Sequence, residues 1–135
     1  MDYEVLSHTA ETGIRAYGRD LNQSFSNAAK AMFCLVTDLN LIKPAQEIKI
    51  SLQSSNTKEL LVDWLNELLF RFETEGLVFS QFNVRISGAS LKASVKGEEY
   101  SPEKHPIKTQ IKATTYHNLE VESNNQAYVQ VYFDV

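Results

Sequence analysis

The stretch Asn56–Gly76, NTKELLVDWLNELLFRFETEG, decides how the rest of the chain must be read. Leu60, Leu61, Trp64, Leu65, Leu68, Leu69 and Phe72 recur at three- and four-residue spacing, which places them on one stripe of an α-helix. Asn56 and Glu59 have the spacing of a capping box, in which the first side chain accepts from a free amide of the first turn. Gly76 follows the last charged turn and suits the left-handed residue that ends a helix. Such a stripe is stable only against apolar cover, so the remaining segments must supply a sheet.

Working outward, a second helix is predicted from Asp20 to about Thr37. Asp20 with Gln23 forms another capping box, and Leu21, Phe25, Ala28, Ala29, Met32 and Val36 make its stripe. Between the helices, Ile48, Ile50 and Leu52 alternate as a half-buried strand. Upstream, Tyr3–Tyr17 reads as two short strands around the polar interruption His8-Thr9-Ala10-Glu11-Thr12-Gly13. Downstream, Phe82, Val84 and Ile86, a turn at 87–90, then Leu91, Ala93 and Val95 mark a hairpin. A polar loop is predicted from Gly97 to Pro106, followed by strands over 107–117, 119–122 and 127–135, with a turn at 123–125. The order predicts one α+β domain over residues 1–135, mostly antiparallel, with two amphipathic helices on one face of the sheet.

Composition narrows the function. With 43% hydrophobic and 22% charged residues, the chain can bury a core without staples. Its single cysteine, Cys34, falls inside a helical pattern and reads as a structural thiol of a reducing compartment. No 18-residue apolar run and no signal-peptide pattern occur, so a cytoplasmic protein without membrane partners is expected. A net charge of −4 argues against strong direct nucleic-acid binding, which calls for a basic face.

The candidate chemistry is sparse. There is no Cys/His cluster for zinc, no nucleophile elbow and no glycine-rich phosphate loop, so no autonomous catalytic set is expected. The run Ala127–Phe133 leads into Asp134-Val135, where a side-chain carboxylate and the chain's own carboxylate would sit together at a strand end. Two adjacent oxygen donors make half of a site for Ca²⁺, Mg²⁺ or Mn²⁺, although on this segment alone a solubilising aspartate is the plainer reading. Glu11 and Asp38 are further carboxylates at turns. Lys104, His105, Lys108, Lys112 and His117 could contact a phosphate or an acidic surface, with a solvated strand face as the simpler alternative. In the strand reading Ile111 and Ala113 face one way and Lys112 the other.

Seven strings, in order from residue 2 to residue 135, resemble the archease family. They are Leu6–Gly13, Met32-Phe33 through Leu39, Leu61–Leu69, Thr74–Ser80, Gly97–Tyr100 through Pro106, Ile111–His117 and Phe133-Asp134-Val135. The resemblance implies a small acidic α+β protein that is not itself an enzyme. It would serve as a protein cofactor of the GTP-dependent tRNA-splicing RNA ligase, promoting metal-dependent guanylylation of that partner and its repeated turnover. An alternative role is a chaperone-like modulator of a tRNA cytosine methyltransferase. The resemblance carries a metal site onto Glu11, Asp134 and Val135, for a divalent cation such as Ca²⁺, Mg²⁺ or Mn²⁺, and a lysine needed for partner activation onto Lys112. One position departs from the family: its usual motif aspartate is Glu11 here, one methylene longer.

Overall fold

The computed structural model describes residues 2–8, 11–124 and 126–135, with His8 described by its backbone alone. Among the described residues eight strands form: β1 (Tyr3–His8), β2 (Glu11–Gly18), β3 (Gln46–Gln53), β4 (Leu77–Ser87), β5 (Ser90–Glu99), β6 (Ala113–Thr114), β7 (Glu120–Glu122) and β8 (Ala127–Asp134). Two helices, α1 (Leu21–Val36) and α2 (Thr57–Glu75), lie where their stripes predict.

Local chemistry explains the helix limits. The Gln23 amide donates to Asp20 Oδ1 at 2.9 Å, and the Arg19 amide donates to Gln23 Oε1 at 2.8 Å. The Glu59 amide donates to Asn56 Oδ1 at 2.9 Å. Gly76 ends α2 at φ 65°, the left-handed conformation that costs glycine nothing.

All strand pairs are antiparallel, and they divide into two sheets rather than one. The first has the order β1-β2-β8-β6, with β7 also on β8; the second has the order β3-β5-β4. Helix α1 packs against β2 and β8 of the first sheet and β4 of the second, so one helix covers both inner faces. The Trp64 indole N–H donates to the Phe25 carbonyl at 3.0 Å and ties α2 to α1 inside the core. Trp64, Phe25, Phe33, Phe79 and Phe133 are fully buried in one cluster. Removing any one of them to alanine typically costs about 3–5 kcal/mol.

Strand β4 solves a problem of phase. Leu77 and Phe79 are buried at odd positions, and Phe82, Val84 and Ile86 point inward at even ones. A bulge between Phe79 and Gln81 inserts one residue and switches the parity. Gly97 lies opposite Phe79 there, and a Cβ on it would stand 1.8 Å from the Val78 carbonyl oxygen.

Four sequence expectations are corrected. Glu11, Thr12 and Gly13 belong to β2, because each finds a ladder partner on β1; Thr9 and Ala10 lie outside the described residues, as does Asn125 of the expected turn at 123–125. Gly97, Glu98 and Glu99 extend β5 instead of opening the loop, since β4 pairs with all three. The strand expected over 107–117 shrinks to Ala113–Thr114, because β8 offers that segment only Phe133 and Asp134 as ladder partners. Cys34 is half-buried rather than buried; it hydrogen-bonds Tyr3 and, with burial, pushes the Tyr3 phenol up to about 12.

The close approach at the bulge gives a direct test. Gly97→Ala should destabilise the fold by at least about 2 kcal/mol, within or beyond the usual range for overpacking. Urea unfolding measures it, and an alanine variant of unchanged midpoint would contradict the packing at the bulge.

Candidate functional site

Strands β2 and β8 pair from Gly18↔Ala127 to Thr12↔Phe133. Thr12 and Phe133 are the last pair at this end, and each strand runs one residue further, to Glu11 on β2 and Asp134 on β8. His8 lies opposite Glu11 on β1, and Ala113 lies opposite Asp134 on β6. Opposed residues share a face, and alternate residues return to it. Glu11 and Asp134 thus share the face of Gly13 and Tyr132, while Ile14, Val131 and Phe133 fill the core on the other side.

That outer face is built closely at this end. A Cβ on Gly13 would stand 2.6 Å from Tyr132 Cδ1, so only glycine lets the ring lie flat across β2. The His117 ring meets Tyr132 edge-on at 5.9 Å, and its Nε2 lies 3.9 Å from Glu11 Oε2. Among the described residues, Glu11 Oε2 is buried and has no hydrogen-bond partner. Asp134 remains exposed, and Val135 beyond it is 45% exposed.

Lys112 reaches this corner by its backbone. Its amide donates to the Asp134 carbonyl at 2.8 Å, and the amide of Thr114 donates to Asn66 Oδ1 of α2 at 2.9 Å. Its side chain is exposed, Ile111 before it is buried, and Ala113 after it is half-buried. The strict alternation expected of a longer strand fails at Thr114, which is buried. His117 was grouped with the lysines by sequence, yet the structure turns it onto Glu11. The amide and hydroxyl of Thr115 both donate to the Tyr132 carbonyl, at 2.9 and 3.0 Å. Asn118 then takes φ 50°, a left-handed turn that asparagine tolerates. That asparagine is the one signal in the sequence that could have marked a turn here.

Lys104 and His105 are used elsewhere. His105 is fully buried; its Nδ1 accepts from the Ser101 amide at 3.0 Å, so Nε2 carries the proton and donates to Glu98 Oε2 at 2.9 Å. Lys104 Nζ donates to Glu98 Oε1 at 3.0 Å, and the Lys43 amide donates to Oε2 at 2.9 Å. The Lys43 amide first, then His105 and Lys104, hold the Glu98 carboxyl down at about 2. These groups fasten the loop after β5 and are not available to a ligand. Asp38 caps a short 3-10 turn by accepting from the Asn40 amide.

The family model of the archease protein family matches residues 3–135. The chain belongs to the archease family. A "Protein archease" of Methanopyrus kandleri is 38% identical, over 98% of this chain and 97% of its own length. That of Methanosarcina acetivorans is 41% identical over 98% and 95% respectively. The solution structure of protein 1598 of Methanobacterium thermoautotrophicum is 36% identical, covers 99% of both chains and superposes with a TM-score of 0.86. This archease-family chain therefore shares its whole α+β architecture with a solved protein. Among the described residues, no three His, Cys, Asp or Glu side chains form a metal cluster, and no helix is long and apolar enough to cross a membrane. The Glu11–Asp134 corner offers two carboxylates. The buried, unbonded Oε2 of Glu11 fits a cation ligand better than a solvated acid.

The Glu98 cluster predicts a pH response. Its carboxyl titrates at about 2 in the folded archease-family chain against an ordinary 4.5, so the unfolded chain binds the extra proton first. The stability it contributes is present above 4.5 and is lost as pH falls from there toward 2. Glu98→Gln should be less stable at neutral pH and show a shallower acid limb in melts taken over that range. An unchanged acid limb would contradict the cluster.

Proposed function

We propose that this protein is a cofactor of a GTP-dependent tRNA-splicing ligase in the cytoplasm, promoting guanylylation and repeated turnover of that enzyme, and that it performs no reaction alone. Family membership supports the cofactor role, and the observation that carries the reading is the buried, unbonded Glu11 oxygen at the strand end where the Lys112 amide holds the Asp134 carbonyl. The buried, unbonded carboxylate oxygen of Glu11 beside Asp134 suits a divalent cation, with Ca²⁺, Mg²⁺ and Mn²⁺ all compatible with an oxygen donor set. Glu11, Asp134 and the main-chain oxygens of Val135 would hold it. When bound, the cation supplies positive charge where phosphoryl oxygens gain negative charge during nucleotidyl transfer.

The protein's own residues perform two tasks. The β2–β8 ladder carries both acids at one strand end, with Asp134 exposed to a partner. Lys112, held by its amide on the Asp134 carbonyl, offers a mobile ammonium for a phosphate or carboxylate of the partner complex. The extra methylene of Glu11 is accommodated because its carboxylate reaches back toward His117.

The test is ligase–GMP formation at matched protein concentrations. Lys112→Ala should leave the melt within about 0.5 kcal/mol of the parent, as for other surface changes. It should also remove the stimulation of guanylylation, and Lys112→Arg should restore part of it. Full stimulation by the alanine variant would overturn the role of Lys112.

A further inference from the structure

The outer face of the second sheet carries a charge pattern that the metal corner does not explain. Register places Arg85 directly opposite Lys92 across β4 and β5, and Ser51 of β3 on the other side of Lys92. Lys96 lies between Glu47 and Gln81, and Lys49 lies opposite Ser94. All four cations are exposed. Over these paired rows Glu47 is the sole acid, and its carboxylate is already engaged by the Ser94 hydroxyl at 2.7 Å and by Lys49 at 3.7 Å. Arg85, Lys92 and Lys96 make no ion pair among the described residues. A protein of net charge −4 thus gathers four cations against one acid on one face.

Two ordinary explanations fail. Lysine on a strand often guards a sheet edge, but Lys92 and Lys96 sit on β5, the middle strand. Charges directly opposite one another normally have opposite sign, whereas Arg85 and Lys92 repel. Local rules broken without a structural gain are expected where a ligand is bound. The face continues, through Asn83 and Arg85, into a groove of about 450 Å³ lined also by Arg19 and Asp20 just before α1 and by Lys30 within it, which pairs with Asp2 at 3.8 Å.

We infer that this face binds the phosphate backbone of a nucleic acid. Its polar complement is Ser51, Gln81, Asn83 and Ser94, the hydroxyl and amide types that join lysine and arginine in phosphate and sugar contacts. A protein partner fits poorly, because protein interfaces are enriched in aromatic residues and depleted in lysine and serine. The paired rows present no aromatic side chain outward, so bases cannot stack and binding follows the backbone rather than sequence. The inference stands apart from the ligase reading, since it needs neither the metal corner nor Lys112.

The experiment is fluorescence anisotropy of the full chain with a labelled single-stranded RNA over a salt series. Four engaged cations predict a log–log salt slope of about −2.8, equivalent to roughly a fiftyfold loss of affinity over a fourfold rise in salt. Lys92→Gln alone should reduce the slope by about 0.7, and Arg85→Gln/Lys92→Gln/Lys96→Gln together by about 2. Lys43→Gln/Lys58→Gln/Lys108→Gln changes the net charge equally on other surfaces and should bind as the parent does. Equal losses in the two triple variants, or no binding by the parent at low salt, would overturn the inference. Competition by polyglutamate as effective as that by unlabelled RNA would also overturn it, in favour of an acidic protein partner.

Discussion

The antiparallel register between β2 and β8 is the constraint on which the rest of the structure depends. Ile14 opposite Val131 and Ala16 opposite Val129 give the first sheet its apolar face, and α1 packs there. The same ladder carries β1 on one side, and β6 and β7 on the other. A slip of one residue would turn Phe133 and Val131 to solvent and bring Asp134 toward the core. It would also part Glu11 from Asp134. The packing of the core and the assembly of the functional corner are therefore one choice of register, and neither can vary without the other.

The electrostatics of two acids, Glu98 and Glu11, is resolved in opposite ways. Glu98 is surrounded by donors, an amide, an imidazole and an ammonium, so its charge is satisfied within the chain. Glu11, at the start of β2, has a buried oxygen with no hydrogen-bond partner among the described residues. Leaving such an atom unsatisfied typically costs about 1–3 kcal/mol. Glu98 is a structural fastening. Glu11 Oε2 has the His117 imidazole at 3.9 Å and no hydrogen-bond partner among the described residues.

Much of this was legible from residue patterns. The stripes of α1 and α2 and their caps at Asp20 and Asn56 set both helices nearly to the residue, because helix ends are decided by short-range hydrogen bonds. The hairpin of β4 and β5 was equally readable from its alternation, although the division into two sheets was not. Pairing between distant strands leaves no local trace, and the Phe79/Gln81 bulge hid the parity of β4. The same limit applied to the site. Glu11, Asp134 and Lys112 were readable as a turn acid, a strand-end acid and a strand lysine, and the family strings joined them, but their neighbourhood at one strand end rests on the β2–β8 and β6–β8 pairings. His117 and His105 looked alike in sequence as members of one basic cluster. Tertiary contacts sent one to Glu11 and buried the other against Glu98.

The central claim is that this register makes Glu11 and Asp134 a pair of cation ligands. Crystals of the protein soaked in Mn²⁺ and measured at the manganese absorption edge test it most directly. The account predicts an anomalous peak bonded to carboxylate oxygens of both Glu11 and Asp134, lost in Asp134→Asn. A map with the two carboxylates turned apart and no peak between them, at saturating Mn²⁺, would contradict it.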